Sequence, residues 1–148
     1  RQWLRGCLSS HPKCQRPELP RLPTRVVAVG SCDEEMRIVV TGPDDRAEYA
    51  ALSHCWGGAH AVVLLSSNLE ALQKRLHLDA SSKTFREAIT FTRRLGIPYI
   101  WIDSLCILQD KDEVSDWEYE APRMSRVYNS ATVTLSAASS SDMSGGLF

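Results

Sequence analysis

A chain of 148 residues that is 43% hydrophobic and 24% charged suits one globular domain with a buried core, which excludes intrinsic disorder as its ordinary state. A net charge of -1 excludes the broad basic field that binding to nucleic acid or an anionic membrane by bulk charge requires. No apolar run approaches the roughly 20 residues of a membrane span and no signal peptide is visible, so a cytoplasmic protein is expected. The odd set of Cys7, Cys14, Cys32, Cys55 and Cys106 has no framework spacing and fits reduced thiols in that compartment. With no initiator Met at its start, the sequence is expected to be an excised piece of a protein that continues past residue 148.

Residues 1–25 read as a lead-in. Trp3, Leu4 and Leu8 suit a short helix, and Pro12, Pro17, Pro20 and Pro23 then bar regular helix or central strand. Val26-Val-Ala-Val29 and Met36-Arg-Ile-Val-Val40, joined by residues 30–35, predict a hairpin. Residues 49–56 predict a strand closed by Gly57 and Gly58. Leu69, Leu72 and Leu76 predict a helix within 65–78.

The clearest helix follows. Thr84 and Glu87 form a capping-box pair, and Phe85, Ala88, Ile89, Thr92 and Leu95 share one face. Arg93 and Arg94 complement its dipole, and Gly96 and Pro98 stop it. Residues 99–103 are a strand. The next helix carries Trp117, Glu120, Met124, Val127 and Tyr128, with Ser115 and Glu118 as a second capping box. Pro122 either kinks that helix or marks its true start. Residues 132–137 form a last strand. This alternation predicts an α/β fold in three layers around a mainly parallel sheet, with the N-terminal β-hairpin added at one edge. Strands 49–54, 99–103 and 132–136 should share that sheet, with Phe85 and Ile89 packed on it.

Ser53-His54-Cys55-Trp56-Gly57-Gly58 closes a strand, either as a ligand loop or as a turn with a buried indole; for His54 the structural role is favoured. Ser53 lacks the glycines of a nucleophile elbow. Cys55 and Cys106 sit in apolar runs, where thiolates are disfavoured, so both are expected buried and slow to label. Cys7, His11 and Cys14 offer three zinc ligands, but Cys-x3-His-x2-Cys has no matching second half. An ordinary loop or helix start is the expectation there, and no metal site. Phosphate-loop and dinucleotide patterns are absent, so a nucleotide would be substrate and not a held cofactor. Asp103 ends its strand either as a cap or as a substrate contact. Trp117 and Glu120, three apart, share one side of a helix at a strand-end junction. Trp117 reads most simply as a core anchor and Glu118 as a capping or solvent-facing carboxylate. Glu120 is either an ordinary surface residue or a carboxylate placed to act on a ring or a sugar.

Four blocks in order carry a resemblance. They are Tyr49-Ala-Ala-Leu-Ser-His-Cys-Trp-Gly57; Phe85-Arg-Glu-Ala-Ile89 with Thr92-Arg-Arg-Leu-Gly96; Tyr99-Ile-Trp-Ile-Asp-Ser-Leu-Cys-Ile-Leu-Gln-Asp110; and Asp116-Trp117 with Glu120, Met124, Val127-Tyr128 and Ala131. Together they resemble the fungal heterokaryon-incompatibility (HET) domain, with core motifs over 49–137 of a domain spanning 26–148. The lead-in with Trp3, Cys7, His11, Cys14 and Leu22-Pro-Thr-Arg25 is similar to the segment that often precedes it. The resemblance implies an effector of programmed cell death in fungal non-self recognition. HET domains have been proposed as distant relatives of TIR domains, which are flavodoxin-like and in many cases cleave NAD with a glutamate three residues after a tryptophan. That pattern implies Glu120 as the catalytic residue, NAD as substrate with no cofactor, and a homo-oligomer on activation. Ser53, His54, Trp56, Gly57, Asp103 and Trp117 are the substrate-binding candidates by position. The alternative is a non-enzymatic module that kills through assembly with partners. A metal-dependent hydrolase is poorly supported, since Asp and His do not cluster at ligand spacing.

Overall fold

The computed structural model describes residues 2–15, 18–57, 62–79, 82–110 and 114–147, with only the backbone at 114 and 115. Pro17, Gly58 and the proposed Ser115 cap therefore lie outside the described residues. A first helix α1 (Gln2–Ser10) precedes the hairpin of β1 (Arg25–Ala28) and β2 (Arg37–Val40). Then come β3 (Tyr49–Ser53), α2 (Leu69–Lys74), α3 (Lys83–Leu95), β4 (Tyr99–Trp101) and α4 (Asp103–Cys106). The chain closes with α5 (Val114–Glu120), α6 (Met124–Ser130) and β5 (Val133–Ser136). No helix among the described residues is long and apolar enough to cross a membrane.

All five strands share one sheet in the order β2-β1-β4-β3-β5. β3 runs parallel to β4 and to β5, as the helix–strand alternation predicts. The expectation of a mainly parallel sheet is corrected: β1 is antiparallel to both β2 and β4, so the sheet is mixed. The hairpin connection makes β1 and β2 antiparallel, and β1 hydrogen-bonds to β4, so the hairpin is added at one edge of the sheet as expected but with the opposite polarity to its neighbour. Composition follows position in the sheet. The interior strand β1 is buried at every residue, whereas the edge strands β2 and β5 mix buried and exposed positions.

α3 buries Phe85, Ala88, Ile89 and Thr92, the face read from its periodicity. Each fully buried large apolar side chain of this kind contributes about 1.5–3 kcal/mol. Gly96 at φ 84 ends the helix in the left-handed region, and the Ile97 amide returns to the Thr92 carbonyl at 3.2 Å. Its start differs from expectation. Ser82 is the N-cap without a side-chain bond, and Thr84 and Glu87 do not cap each other. They hold the C-terminal segment instead. The Thr84 amide donates to the Met143 carbonyl at 2.9 Å, Gly146 N–H donates to Thr84 Oγ1 at 3.0 Å, and Leu147 N–H to Glu87 Oε2 at 2.7 Å.

α6 lies on the strand face that carries Tyr49 and Trp101. Tyr49 OH donates to the Val127 carbonyl at 2.7 Å, and Trp101 meets Tyr128 edge-on with ring centroids 5.5 Å apart. Pro122 resolves the ambiguity noted in the sequence. It sits in a 3-10 turn, Ala121–Arg123, where its missing N–H costs little, and α5 and α6 are separate helices on either side.

Candidate functional site

The candidate residues fall into two groups. The first lies at the carboxyl ends of the parallel neighbours β3 and β4. Ser53 ends β3 and is exposed, while the His54 side chain just beyond is only 1% exposed. Its ring meets Phe85 edge-on at 5.0 Å, and Nδ1 is 3.7 Å from Asp103 Oδ1, beyond hydrogen-bond reach. Neither ring nitrogen has a hydrogen-bond partner among the described residues. Burial pushes the His54 pKa below its ordinary 6.5, and the Asp103 charge pulls partly back.

Asp103 is committed on both oxygens. Oδ1 accepts from its neighbour Ser104 N–H at 2.8 Å at the start of α4, and Oδ2 accepts the Trp56 indole N–H at 2.7 Å. That bond anchors Trp56 and leaves much of its ring facing solvent. Gly57 follows at φ 63, where a Cβ would collide with Asp142. Glycine is required there by backbone and by space. Asp103 therefore holds the Ser104 amide in the first turn of α4 and fixes the one aromatic ring of this group that a ligand could stack on.

The strand ends earlier than expected, at Ser53, and this exposes Cys55 where a buried thiol was predicted. Cys106 is buried as expected, and burial pushes its thiol up to about 12. It lies electrostatically between the two groups, since both Asp103 and Glu120 raise it further.

Glu120 belongs to the second group, on the last residue of α5. It is 4% exposed, and its Oε1 has no hydrogen-bond partner among the described residues. It lines a cavity of about 360 Å³ together with Thr24, Thr41, Tyr119, Arg123 and Arg126. None of Ser53, His54, Trp56, Gly57, Asp103 and Trp117 lines that cavity. The expected pairing of Trp117 with Glu120 is corrected, because Trp117 is 55% exposed while Glu120 points inward. The residue sharing the inner side of α5 with Glu120 is Asp116, one helical turn earlier.

Asp116 explains why α5 sits as it does. Arg25, which opens β1, donates to Asp116 through both terminal nitrogens at 3.0 and 2.5 Å, and to the Cys106 carbonyl at 2.8 Å. The Leu108 amide also donates to Asp116, at 2.8 Å. Burial pushes the Asp116 carboxyl up, but the Arg25 and Leu108 bonds outweigh it and the net shift is downward. Asp116 falls in a block that carries the family resemblance and Arg25 in the lead-in before it, but the sequence assigns neither a role. An arginine ahead of an apolar run was the only hint, and a partner 91 positions away cannot be read from spacing.

A buried carboxylate in the wall of a cavity edged by arginines can stabilise positive charge developing on a bound sugar while the guanidinium groups meet an anion. On the surface, Arg123 lies over the Tyr119 ring, 3.6 Å from its centroid. No curated protein and no solved structure shows significant similarity to the chain. The family model described as heterokaryon incompatibility protein (HET) matches residues 49–148, a span that includes β3, β4, both groups of candidate residues and the C-terminal segment. The chain therefore belongs to the heterokaryon incompatibility (HET) family.

Proposed function

We propose that this HET domain acts as a cell-death effector by hydrolysing NAD to nicotinamide and ADP-ribose, with Glu120 as the catalytic carboxylate. The observation that supports this reading best is the inward, partly unpartnered Glu120 at the wall of the arginine-edged cavity. The bond broken joins the ribose to a positively charged pyridinium, so nicotinamide leaves as a neutral molecule and needs no acid. Positive charge then develops on the ribose, where a nearby carboxylate lowers the barrier. Water adds to that carbon and its proton goes to solvent. Arg123 and Arg126 suit the pyrophosphate. The TIR relationship, a flavodoxin-like ancestry and activation through homo-oligomers in the cytoplasm belong to the same proposal.

A second reading, a non-enzymatic module that signals through partners, draws on the aromatic surface of α5. Trp117 and Tyr119 are both large and exposed, the kind of residue enriched at protein interfaces. One experiment separates the two. Purified wild type, Glu120→Gln and Glu118→Gln, each also as a forced oligomer, are incubated with NAD and assayed for free nicotinamide and for killing in cells. Activity lost in Glu120→Gln and kept in Glu118→Gln supports NAD cleavage. Killing retained by a folded Glu120→Gln, with no NAD loss in any protein, transfers the proposal to the signalling module.

A further inference from the structure

We propose that Cys7, His11 and Cys14 bind one zinc ion, which clips the end of α1 to the turn that follows it. The three ligand atoms lie within 4.8 Å of one another, and they are the one such group of histidine, cysteine and acidic residues among the described residues. Cys7 Sγ is 3.4 Å from Cys14 Sγ and 3.4 Å from His11 Nδ1. A tetrahedral zinc with bonds of about 2.3 Å to sulfur and about 2.0 Å to nitrogen sets its ligands roughly 3.5–3.8 Å apart. Both separations from Cys7 are within a few tenths of an ångström of that spacing, and the third lies within 4.8 Å, so a side-chain adjustment on the order of an ångström closes the set on the ion.

The fold builds this spacing locally. Cys7 and His11 are four residues apart on one face at the carboxyl end of α1. The backbone then doubles back, as the Cys14 and Gln15 amides donate to the His11 carbonyl at 2.9 and 3.2 Å. Gln15 Nε2 donates to the Ser9 carbonyl at 2.8 Å and closes the loop over the helix end. The missing second half of a sequence motif therefore does not decide the question. One helix end and one turn supply three ligands.

The ligand chemistry selects the metal. Two thiolates and an imidazole suit zinc, whereas magnesium and calcium want oxygen. On binding, the two thiol protons leave to solvent, the imidazole gives the metal a ring-nitrogen lone pair, and no electron moves. His11 is exposed, so the fourth position faces outward and is free for water or a donor from another molecule. The site also accounts for α1 itself. This helix has nine residues, buries none of them, and carries Trp3 with 78% of its surface open. A helix shorter than about 12–15 residues is marginal without such support.

The test uses the whole chain, freed of metal and kept in a reductant that is not a thiol. Zinc is titrated with stoichiometry and proton release recorded, and cobalt is used as a spectroscopic stand-in. The expected result is one zinc per chain, about two protons released, and a sulfur-to-cobalt charge-transfer band. His11→Ala should weaken binding by at least about a hundredfold, and Cys7→Ser/Cys14→Ser should abolish the band. His11→Cys should restore a site of three thiolates. Cys32→Ser/Cys55→Ser, which removes the two exposed thiols elsewhere, should change nothing. Because α1 buries nothing, the metal-free thermal midpoint of Cys7→Ser/Cys14→Ser should match wild type, so lost binding is not lost folding. Failure of wild type to hold zinc at equimolar concentration overturns the proposal. Undiminished binding by Cys7→Ser/Cys14→Ser does the same.

Discussion

Replacing Asp116 with alanine tests whether a buried ion pair holds the helix that carries Glu120. The side chains of Arg25 and Asp116 are only 9% and 14% exposed, and they meet through two hydrogen bonds. Removing the carboxylate leaves the guanidinium without its counter-charge and the Leu108 amide without its acceptor. Breaking a buried pair from one side costs about 3–5 kcal/mol, against roughly 0–1 kcal/mol for a surface pair. For a chain of this size about 2–4 °C is lost per kcal/mol, so the midpoint should fall by about 6–20 °C. Thermal and urea unfolding at neutral pH, in low salt and in 1 M salt, would measure it. The wild-type midpoint should respond little to salt, because a buried pair is poorly screened. Arg25→Met with Asp116→Leu should recover part of the loss, since an apolar pair leaves only the Leu108 amide and the Cys106 carbonyl to satisfy. A loss for Asp116→Ala below about 1 kcal/mol, or one that 1 M salt erases by weakening wild type equally, would refute the idea that this pair anchors α5.

Three further outcomes are expected. Native thiol labelling should modify Cys32 and Cys55 quickly and Cys106 only on unfolding, because burial raises the Cys106 pKa to about 12; fast labelling of Cys106 would contradict this placement. Gly96→Ala, at φ 84, should destabilise by about 1 kcal/mol or more without changing the fold, and an unchanged midpoint would show that the helix end relaxes freely. The folded His54 pKa lies below 6.5, so the unfolded chain takes up the proton first. Stability is therefore full above pH 6.5 and falls as acid carries the pH from there toward the depressed folded value. His54→Leu should flatten that slope in unfolding free energy measured against pH, and an unchanged slope would assign it to other groups.

Where structure is set by local chemistry, the sequence was legible. The apolar face of α3 with its Gly96 stop, the hairpin, and the parallel placement of β3, β4 and β5 all follow from periodicity and turn residues over a few positions. The polarity of β1 against β4 was not legible, because it depends on a pairing of Val27 with Ile100 and Ala28 with Tyr99, far apart in the chain, that no local pattern encodes. The same limit governs the site. A spacing of three on a helix suggested that Trp117 and Glu120 face together, but which way α5 rolls is decided by Arg25, far back in the chain. His54 and Asp103 do come together, because adjacent parallel strands bring their carboxyl ends side by side. Cys7, His11 and Cys14 lack the second half of a longer metal motif, yet three backbone hydrogen bonds between residues 7 and 15 gather them in space.

The way α3 begins bears on the order in which a nascent chain can complete itself. In its first turn the Thr84 amide donates to the Met143 carbonyl, and the Thr84 and Glu87 side chains accept from Gly146 and Leu147, all some 60 positions downstream. A ribosome that has released β4 and α5 has therefore not yet delivered the acceptor for the Thr84 amide, the donor to the Thr84 hydroxyl or the donor to Glu87. Until that stretch emerges, the start of the longest helix is frayed and the core residue Phe85 is held by apolar contact alone. Pauses in translation before residue 143 should lengthen the time this half-built domain spends exposed to chaperones and proteases.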